Sequence, residues 1–292
     1  MHPLVKKATV TVALGLVAGW LSMGYLSKRP PVPDLGGNAA RMLVDTGHGG
    51  VAQSQADQLT GQHDQTALFE TDQPPATGLL QVWTAAVRSQ QHRQVDPLSA
   101  AHQLASTPAP GQVLMVAVPE RPYRPAEKAA VHRWVAAGGG LLLVAGRPGE
   151  DHDGDGWDSV RILNDLVTGA DGRRVFGFAF SGLAADADTA RPTEVGAPEA
   201  EAVLAGPFGQ VLAVPTRYAA PVQAEADPAA GQENAPHALM TGESGAAYLM
   251  VARHGQGRVL AWSPGVESGR SEPLAANAQV LALNATEWLA QG

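Results

Sequence analysis

The chain has 292 residues, enough to bury a full core, and one large α/β domain or a domain plus excursions both fit. Its formal net charge of −8, from 20 Lys and Arg against 28 Asp and Glu, argues against a nucleic-acid partner, because neutralising phosphates takes clustered basic side chains. No cysteine is present, which excludes disulfides, thiolate metal sites, lipoprotein acylation and any Cys nucleophile.

Lys6 and Lys7 precede 19 uncharged residues, 8–26, after which Lys28, Arg29 and Pro30 end the apolar stretch. At about 1.5 Å rise per residue such a helix comes close to the roughly 30 Å hydrocarbon core of a bilayer. We therefore expect a membrane anchor or signal segment over residues 1–29. A cleavable signal peptide is the rival reading, since Ser22 and Gly24 form a small-x-small site. With a composition rich in Ala, Gly and Pro and poor in Lys, the expectation is a bacterial inner-membrane, single-pass protein. Its domain would lie in the periplasm or outside the cell.

Residues 30–40 carry three prolines and two glycines and read as a linker. The domain, residues 41–292, opens with Arg41-Met-Leu-Val-Asp45, a short apolar strand feeding the glycine-rich run Thr46-Gly-His-Gly-Gly50. Residues 51–75 are polar and without period, a long loop. Residues 78–88 have helical spacing, and 97–104 suggest a second, short helix. The clearest unit runs from 112 to 146. A buried strand ends at Pro119, and a helix starts at Pro125 with Glu127 near its N-terminus. Gly138-Gly-Gly140 stops that helix, and Leu141-Leu-Leu-Val144 is a second buried strand. Strand, helix, strand with continuous apolar strands is a βαβ crossover, so the expected sheet is mostly parallel and flanked by helices. Further strands are expected over 175–180, 248–253 and 258–262, the last two as a hairpin, with helices over 160–167 and 273–289. Residues 186–234 give no clear pattern.

Taken in this order, the pieces resemble the glutamine-amidotransferase-like domains of unknown function found in bacterial membrane proteins. Relatives of these include the periplasmic domains of gliding-type ABC-transport auxiliary proteins and a domain of intraflagellar-transport proteins. The residues that carry the resemblance are Asp45 to His48, the Gly-Gly-Gly-Leu-Leu-Leu-Val run ending at Val144, and Leu163-Asn164. Near the end come Gly255-Gln-Gly-Arg-Val259, Asn277, Asn284 and Trp288-Leu289. The likeness spans about residues 41–290. It implies a class I amidotransferase-like, flavodoxin-like fold. True amidotransferases of this class place a cysteine on the turn after the strand matching 141–144. Here that turn reads Ala145-Gly-Arg-Pro148, with neither thiol nor hydroxyl. The resemblance therefore implies a fold without glutaminase chemistry, able to bind a ligand or a protein at the carboxyl ends of its strands.

Two motifs carry candidate chemistry. Val44-Asp-Thr-Gly-His-Gly-Gly50 looks like the opening of zinc-dependent N-acetylmuramoyl-L-alanine amidases, in which the histidine binds zinc. Such a site needs three protein ligands and an open position. Glu70, His92 and His102 are the further ligands to consider. The alternative is that the glycines allow a strained turn that Asp45 and His48 shape by hydrogen bonding. Asp151-His-Asp-Gly-Asp-Gly-Trp-Asp158 matches the first half of an EF-hand-type loop, with Asp151, Asp153 and Asp155 as calcium ligands and Asp158 as a substitute for the missing acid at Ile162. Its alternative is a solvated acidic turn capping the next helix. Ser263, at the end of the last strand, joins Asp45 and His48 as a ligand-binding candidate, and Asn277 and Asn284 are expected to bond backbone. No catalytic set is assembled. The expected function is a non-catalytic, membrane-anchored binding or scaffold domain with protein partners in the cell envelope. A zinc-dependent cell-wall amidase is the alternative.

Overall fold

The computed structural model describes residues 41–49, 94–151, 153–184, 189–193, 198–225, 235–265 and 272–292. All of them belong to one unit, Leu35–Gly292. The anchor, the linker, the 51–75 loop and the 78–88 helix lie outside the described residues. Among the described residues no helix is long and apolar enough to cross a membrane.

The core grows from two strands that have no polar face. β3 (Gln112–Ala117) and β4 (Gly140–Val144) are buried almost throughout, and they pair in parallel. Side chains alternate across a strand, so each face needs its own cover. Val113, Met115 and Leu142 join one apolar cluster, and Leu114, Val116 and Leu141 join the other. The second cluster is capped by α1 (Pro125–Ala136) through Val131, Trp134 and Val135, and by α2 (Ser159–Leu166) through Ile162 and Leu166. The first is closed by the C-terminal helix through Leu281, Ala285, Trp288 and Leu289.

Around this pair the sheet extends both ways. β1 (Arg41–Asp45) pairs in parallel with β3, and β2 (Gln94–Leu98) pairs in parallel with β1. On the far side β11 (Gly257–Trp262) runs parallel to β4 and forms an antiparallel hairpin with β10 (Ala247–His254), as the sequence suggests. The remaining strands are β5 (Phe178–Phe180), β6 (Thr189–Pro192), β7 (Val214–Pro215), β8 (Val222–Ala224) and β9 (His237–Thr241). All of their pairings are antiparallel. The path through the sheet is β2-β1-β3-β4-β11-β10-β9-β6-β7, with β5 and β8 off it. The fold is therefore a mixed α/β sheet with flanking helices, and the expectation of a mostly parallel sheet is corrected. The hairpin turns the chain back at β10, and everything beyond that strand is antiparallel. Helices α3 (Pro198–Leu204) and α4 (Glu272–Ala290) complete the order.

Two local expectations change. Residues 97–104 form the end of β2 and one 3-10 turn, Ala101–Gln103, rather than a helix. Pro97 sits in β2 opposite Val44, on a strand whose one partner among the described residues is β1, and an edge strand tolerates a missing N–H. The strand expected over 175–180 starts only at Phe178. Gly177, with φ 72, closes a turn onto the Arg174 carbonyl before it.

The triple glycine has three separate reasons. Gly138 ends α1 with φ 112, a conformation that L side chains rarely adopt. A Cβ on Gly139 would lie 2.3 Å from the Trp134 ring, and one on Gly140 would lie 2.5 Å from the Leu289 carbonyl oxygen. Gly140→Ala should therefore cost about 1–3 kcal/mol by overpacking. Gly182→Ala, where a Cβ meets nothing within 4 Å, should stay within about 0.5 kcal/mol of the parent. Thermal denaturation of both variants checks the contrast.

Candidate functional site

Parallel strands bring the loops at their carboxyl ends together, so the loops after β1, β3 and β4 are neighbours. The β1 loop is shaped by Asp45. Its Oδ1 accepts the Gly47 N–H at 2.9 Å, and its Oδ2 is 2.8 Å from His48 Nδ1. A Cβ on Gly47 would fall 2.1 Å from the Ser99 carbonyl oxygen, so the loop packs backbone to backbone on the chain after β2. Gly49 has φ 75. The His48 carbonyl accepts N–H bonds from both Glu120 and Arg121 in the β3 loop.

Two residues that the sequence did not mark as site residues complete the cluster. Tyr123 stacks on His48, with ring centroids 3.6 Å apart, and donates its hydroxyl to Asp45 Oδ2. Glu127, in the first turn of α1, places Oε2 3.4 Å from His48 Nε2 while accepting the Arg124 N–H at 2.8 Å. Asp45, His48 and Tyr123 are all buried. The imidazole thus lies between two carboxylates with a phenol over its face. Burial is the largest single influence on His48 and opposes its charge. The hydrogen bonds and charges of Asp45 and Glu127 together outweigh it, and the His48 pKa is raised. Burial first, then the Asp45 charge, push the Tyr123 phenol well above its ordinary value. The signal for these partners lay in topology: β1 and β3 are adjacent, and Tyr123 and Glu127 flank the start of the helix after β3.

Next along the edge, Val118 follows β3 with φ 44, a strained value for a β-branched residue. The turn after β4 is close-packed. Ala145 is fully buried, the Gly146 N–H donates to Ser159 Oγ at 3.0 Å, and a Cβ on Gly146 would lie 2.9 Å from both Val118 Cγ1 and Ser159 Oγ. Neither Ala145 nor Gly146 has positive φ. This turn, Ala145 to Pro148, holds no thiol or hydroxyl, and a side chain at Gly146 would press on Val118 and Ser159.

The other sequence candidates fall elsewhere. Ser263 is fully buried and its Oγ accepts the Ala220 N–H at 2.8 Å, fastening the β7–β8 connection to the end of β11. Asn284 accepts from the Phe208 N–H and donates to the Gly209 carbonyl, and Asn277 accepts from the Leu212 N–H. Asp151, Asp153 and Asp155 bring ligand oxygens within 4.8 Å of one another. Each already accepts backbone N–H groups of its own loop. The Gly156 N–H, above all, holds the Asp151 carboxyl below its usual range. Asp158 stands apart as the N-cap of α2, taking the Arg161 N–H at 2.7 Å and the Gly149 N–H at 2.5 Å. Glu70, His92 and the His102 side chain lie outside the described residues. Among the described residues Asp45 and Glu127 are the acids bonded to His48, and no third ligand joins His48 Nε2 and Glu127.

No family model matches the chain, and no curated protein matches it. Among solved structures, the chain is similar to a cytoplasmic protein of Salmonella typhimurium at 12% identity, TM-score 0.47, over 86% of this chain and 98% of that one. It is similar to the mmIFT52 N-terminal domain at 14% identity, TM-score 0.48, over 86% and 98%. A ThuA-like protein from Bacteroides uniformis aligns at 12% identity, TM-score 0.46, over 89% and 94%. At such scores the likeness assigns neither activity nor partner. The mixed α/β architecture rests on the sheet itself.

The His48 cluster makes stability pH-dependent with a defined sign. A histidine whose folded pKa is raised contributes stability fully present below its unfolded value of about 6.5 and lost as pH rises through the folded pKa. The stability advantage of the parent over His48→Gln should therefore be largest near pH 6 and shrink on going to pH 9. Denaturant titrations at several pH values read it, and taking the difference between the two chains cancels the opposite contributions of His132 and His254, whose pKa values are lowered. Asp45→Ala should destabilise by about 1–3 kcal/mol for each donor left unpaired.

Proposed function

We propose that this chain is a non-catalytic binding or scaffold domain, held at a bacterial membrane by residues 1–29 and presenting the carboxyl ends of its parallel strands to a partner outside the cytoplasm. The observation that carries the non-catalytic reading is the close-packed turn of Ala145 and Gly146 after β4, where the resembled amidotransferases keep their nucleophile. His48 supports it as well. Both ring nitrogens face carboxylates, and its backbone carbonyl pins the β3 loop, so the residue works as a structural rivet. The anchor reading is supported by the uncharged 8–26 segment between Lys6-Lys7 and Lys28-Arg29. The partners it implies are envelope proteins, in an auxiliary role to a transport or assembly system.

One observation favours a second reading. A zinc amidase needs an acid or histidine within reach of His48, and Glu127 meets that condition, with Asp45 placed as the orienting carboxylate of a ligand histidine. Elemental analysis of the full chain, purified without chelator, separates the two readings. The binding-domain reading expects no stoichiometric zinc in either the parent or His48→Ala. Stoichiometric zinc in the parent that disappears in His48→Ala overturns it in favour of the amidase.

The 151–158 loop supports calcium as a structural ligand, because three carboxylates converge there on one side of a glycine turn. Millimolar calcium should raise the Tm of the parent by a few degrees and leave Asp153→Asn/Asp155→Asn unmoved. Equal responses of the two chains would remove calcium from the account.

A further inference from the structure

Beyond His48, the same edge of the sheet holds a feature that the binding-domain reading leaves unexplained. Arg147, just past β4, and Arg217, between β7 and β8, both approach the ring of Tyr218. Their guanidinium carbons lie 4.7 and 4.9 Å from its centroid. The two like charges are thus at most about 10 Å apart. Among the described residues no carboxylate pairs with either one. The Asp151, Asp153, Asp155 and Asp158 carboxylates that follow Arg147 in sequence are turned onto their own backbone amides. In a chain with eight more acids than bases, two arginines drawn together without an acid are not a by-product of a basic surface.

The backbone beneath them is built tightly. Tyr218 has φ 65, at the third position of a turn that the Ala219 N–H closes onto the Thr216 carbonyl at 2.9 Å. That position ordinarily takes glycine or asparagine. The turn is clamped from below by Gly265, whose N–H donates to the Pro215 carbonyl and whose Cβ, if present, would fall 2.1 Å from the Thr216 carbonyl carbon. Ser263 Oγ holds the far side through the Ala220 N–H. An aromatic residue kept in a strained conformation by a rigid frame, with two guanidinium groups against its ring, is a pre-organised arrangement.

We propose that Arg147 and Arg217, both held against the Tyr218 ring, form a clamp for one oxyanion, the phosphate or carboxylate group of a ligand that docks at the carboxyl ends of β4 and β11. An oxyanion bonded by both guanidinium forks sits with its centre about 4 Å from each guanidinium carbon, so the clamp closes when the two carbons stand within about 8 Å of each other, inside the bound set by their distances to the ring. This is also where open α/β sheets receive ligands. The inference deepens the binding-domain reading and rests on it for the placement of the ligand.

Calorimetric titration of the full chain at low ionic strength tests it, with inorganic phosphate in one arm, succinate in the second and chloride at matched ionic strength as control. The expected result is one saturable site for phosphate or succinate, the stronger arm naming the group. Its Kd should rise at least tenfold in Arg147→Gln/Arg217→Gln and several-fold in the charge-conserving Arg147→Lys, which keeps the point charge and loses the fork. Arg173→Gln, which removes an exposed arginine beside Asp171 and outside the clamp, should bind as the parent does. Absence of a saturable site, an equal response to chloride, or an unchanged Kd in the Arg147→Lys and double variants with unaltered Tm would each overturn the clamp. None of these failures touches the zinc measurement, so the clamp and the non-catalytic reading can fail independently.

Discussion

Burial of β3 and β4 on both faces is the constraint from which the rest of the architecture follows. A strand with one polar face can lie at a surface, but Val113–Ala117 and Leu141–Val144 cannot. They need a helical layer on each side and strands along both edges. α1 and α2 supply one layer, and α4, at the far end of the chain, supplies much of the other. The core is therefore closed by a helix that begins more than 120 residues after β4 ends. Close packing then fixes the glycines. Gly140 lies directly on the Leu289 carbonyl, and the β10–β11 turn rests on the end of α1, where the Gln256 N–H donates to the Ala136 carbonyl at 3.0 Å.

The same parallel core determines where function can reside. The carboxyl ends of β1, β3, β4 and β11 lie along one edge, and that edge is uneven in character. At its β1 and β3 end, charges are buried and mutually satisfied: Asp45 accepts from the Gly47 amide, the Tyr123 hydroxyl and the His48 ring. Such a network rigidifies the loops that it joins, because any member removed leaves a buried group unpaired. At its β4 and β11 end, guanidinium groups gather beside a strained tyrosine, and among the described residues no carboxylate pairs with them. Between the two ends, Val118 and Gly146 pack closely, a Cβ on Gly146 falling 2.9 Å from Val118 Cγ1.

The acidic loop after β4 shows how a motif and its packing can diverge. Alternating carboxylates and glycines specify a tight turn with oxygens converging, and that convergence is present. The twelfth position of an EF-hand loop falls on Ile162, which α2 buries completely in the core. Asp158 does not replace it, because its Oδ1 caps the helix through the Arg161 N–H and its Oδ2 accepts the Gly149 N–H. Turn chemistry and helix capping use the same residue types, and one carboxylate cannot be assigned from spacing alone.

Much of the frame was legible in the amino-acid order. Continuous apolar runs marked β3 and β4, and the spacing of Val131, Trp134 and Val135 marked α1. Each of these is a local property: periodicity reports which side of one element is buried. The tertiary structure alone decided what depends on distant segments meeting. It made residues 94–98 an edge strand that tolerates Pro97, and it joined β11 to β4, turning the sheet from parallel to antiparallel. It also brought Tyr123 and Glu127 to a histidine 75 and more residues earlier, and Arg147 to Tyr218. In the sequence Glu127 is a helix-terminus acid and Tyr123 a loop aromatic. Their partners follow from which strands are adjacent, and adjacency is set by burial of the whole sheet rather than by any local signal.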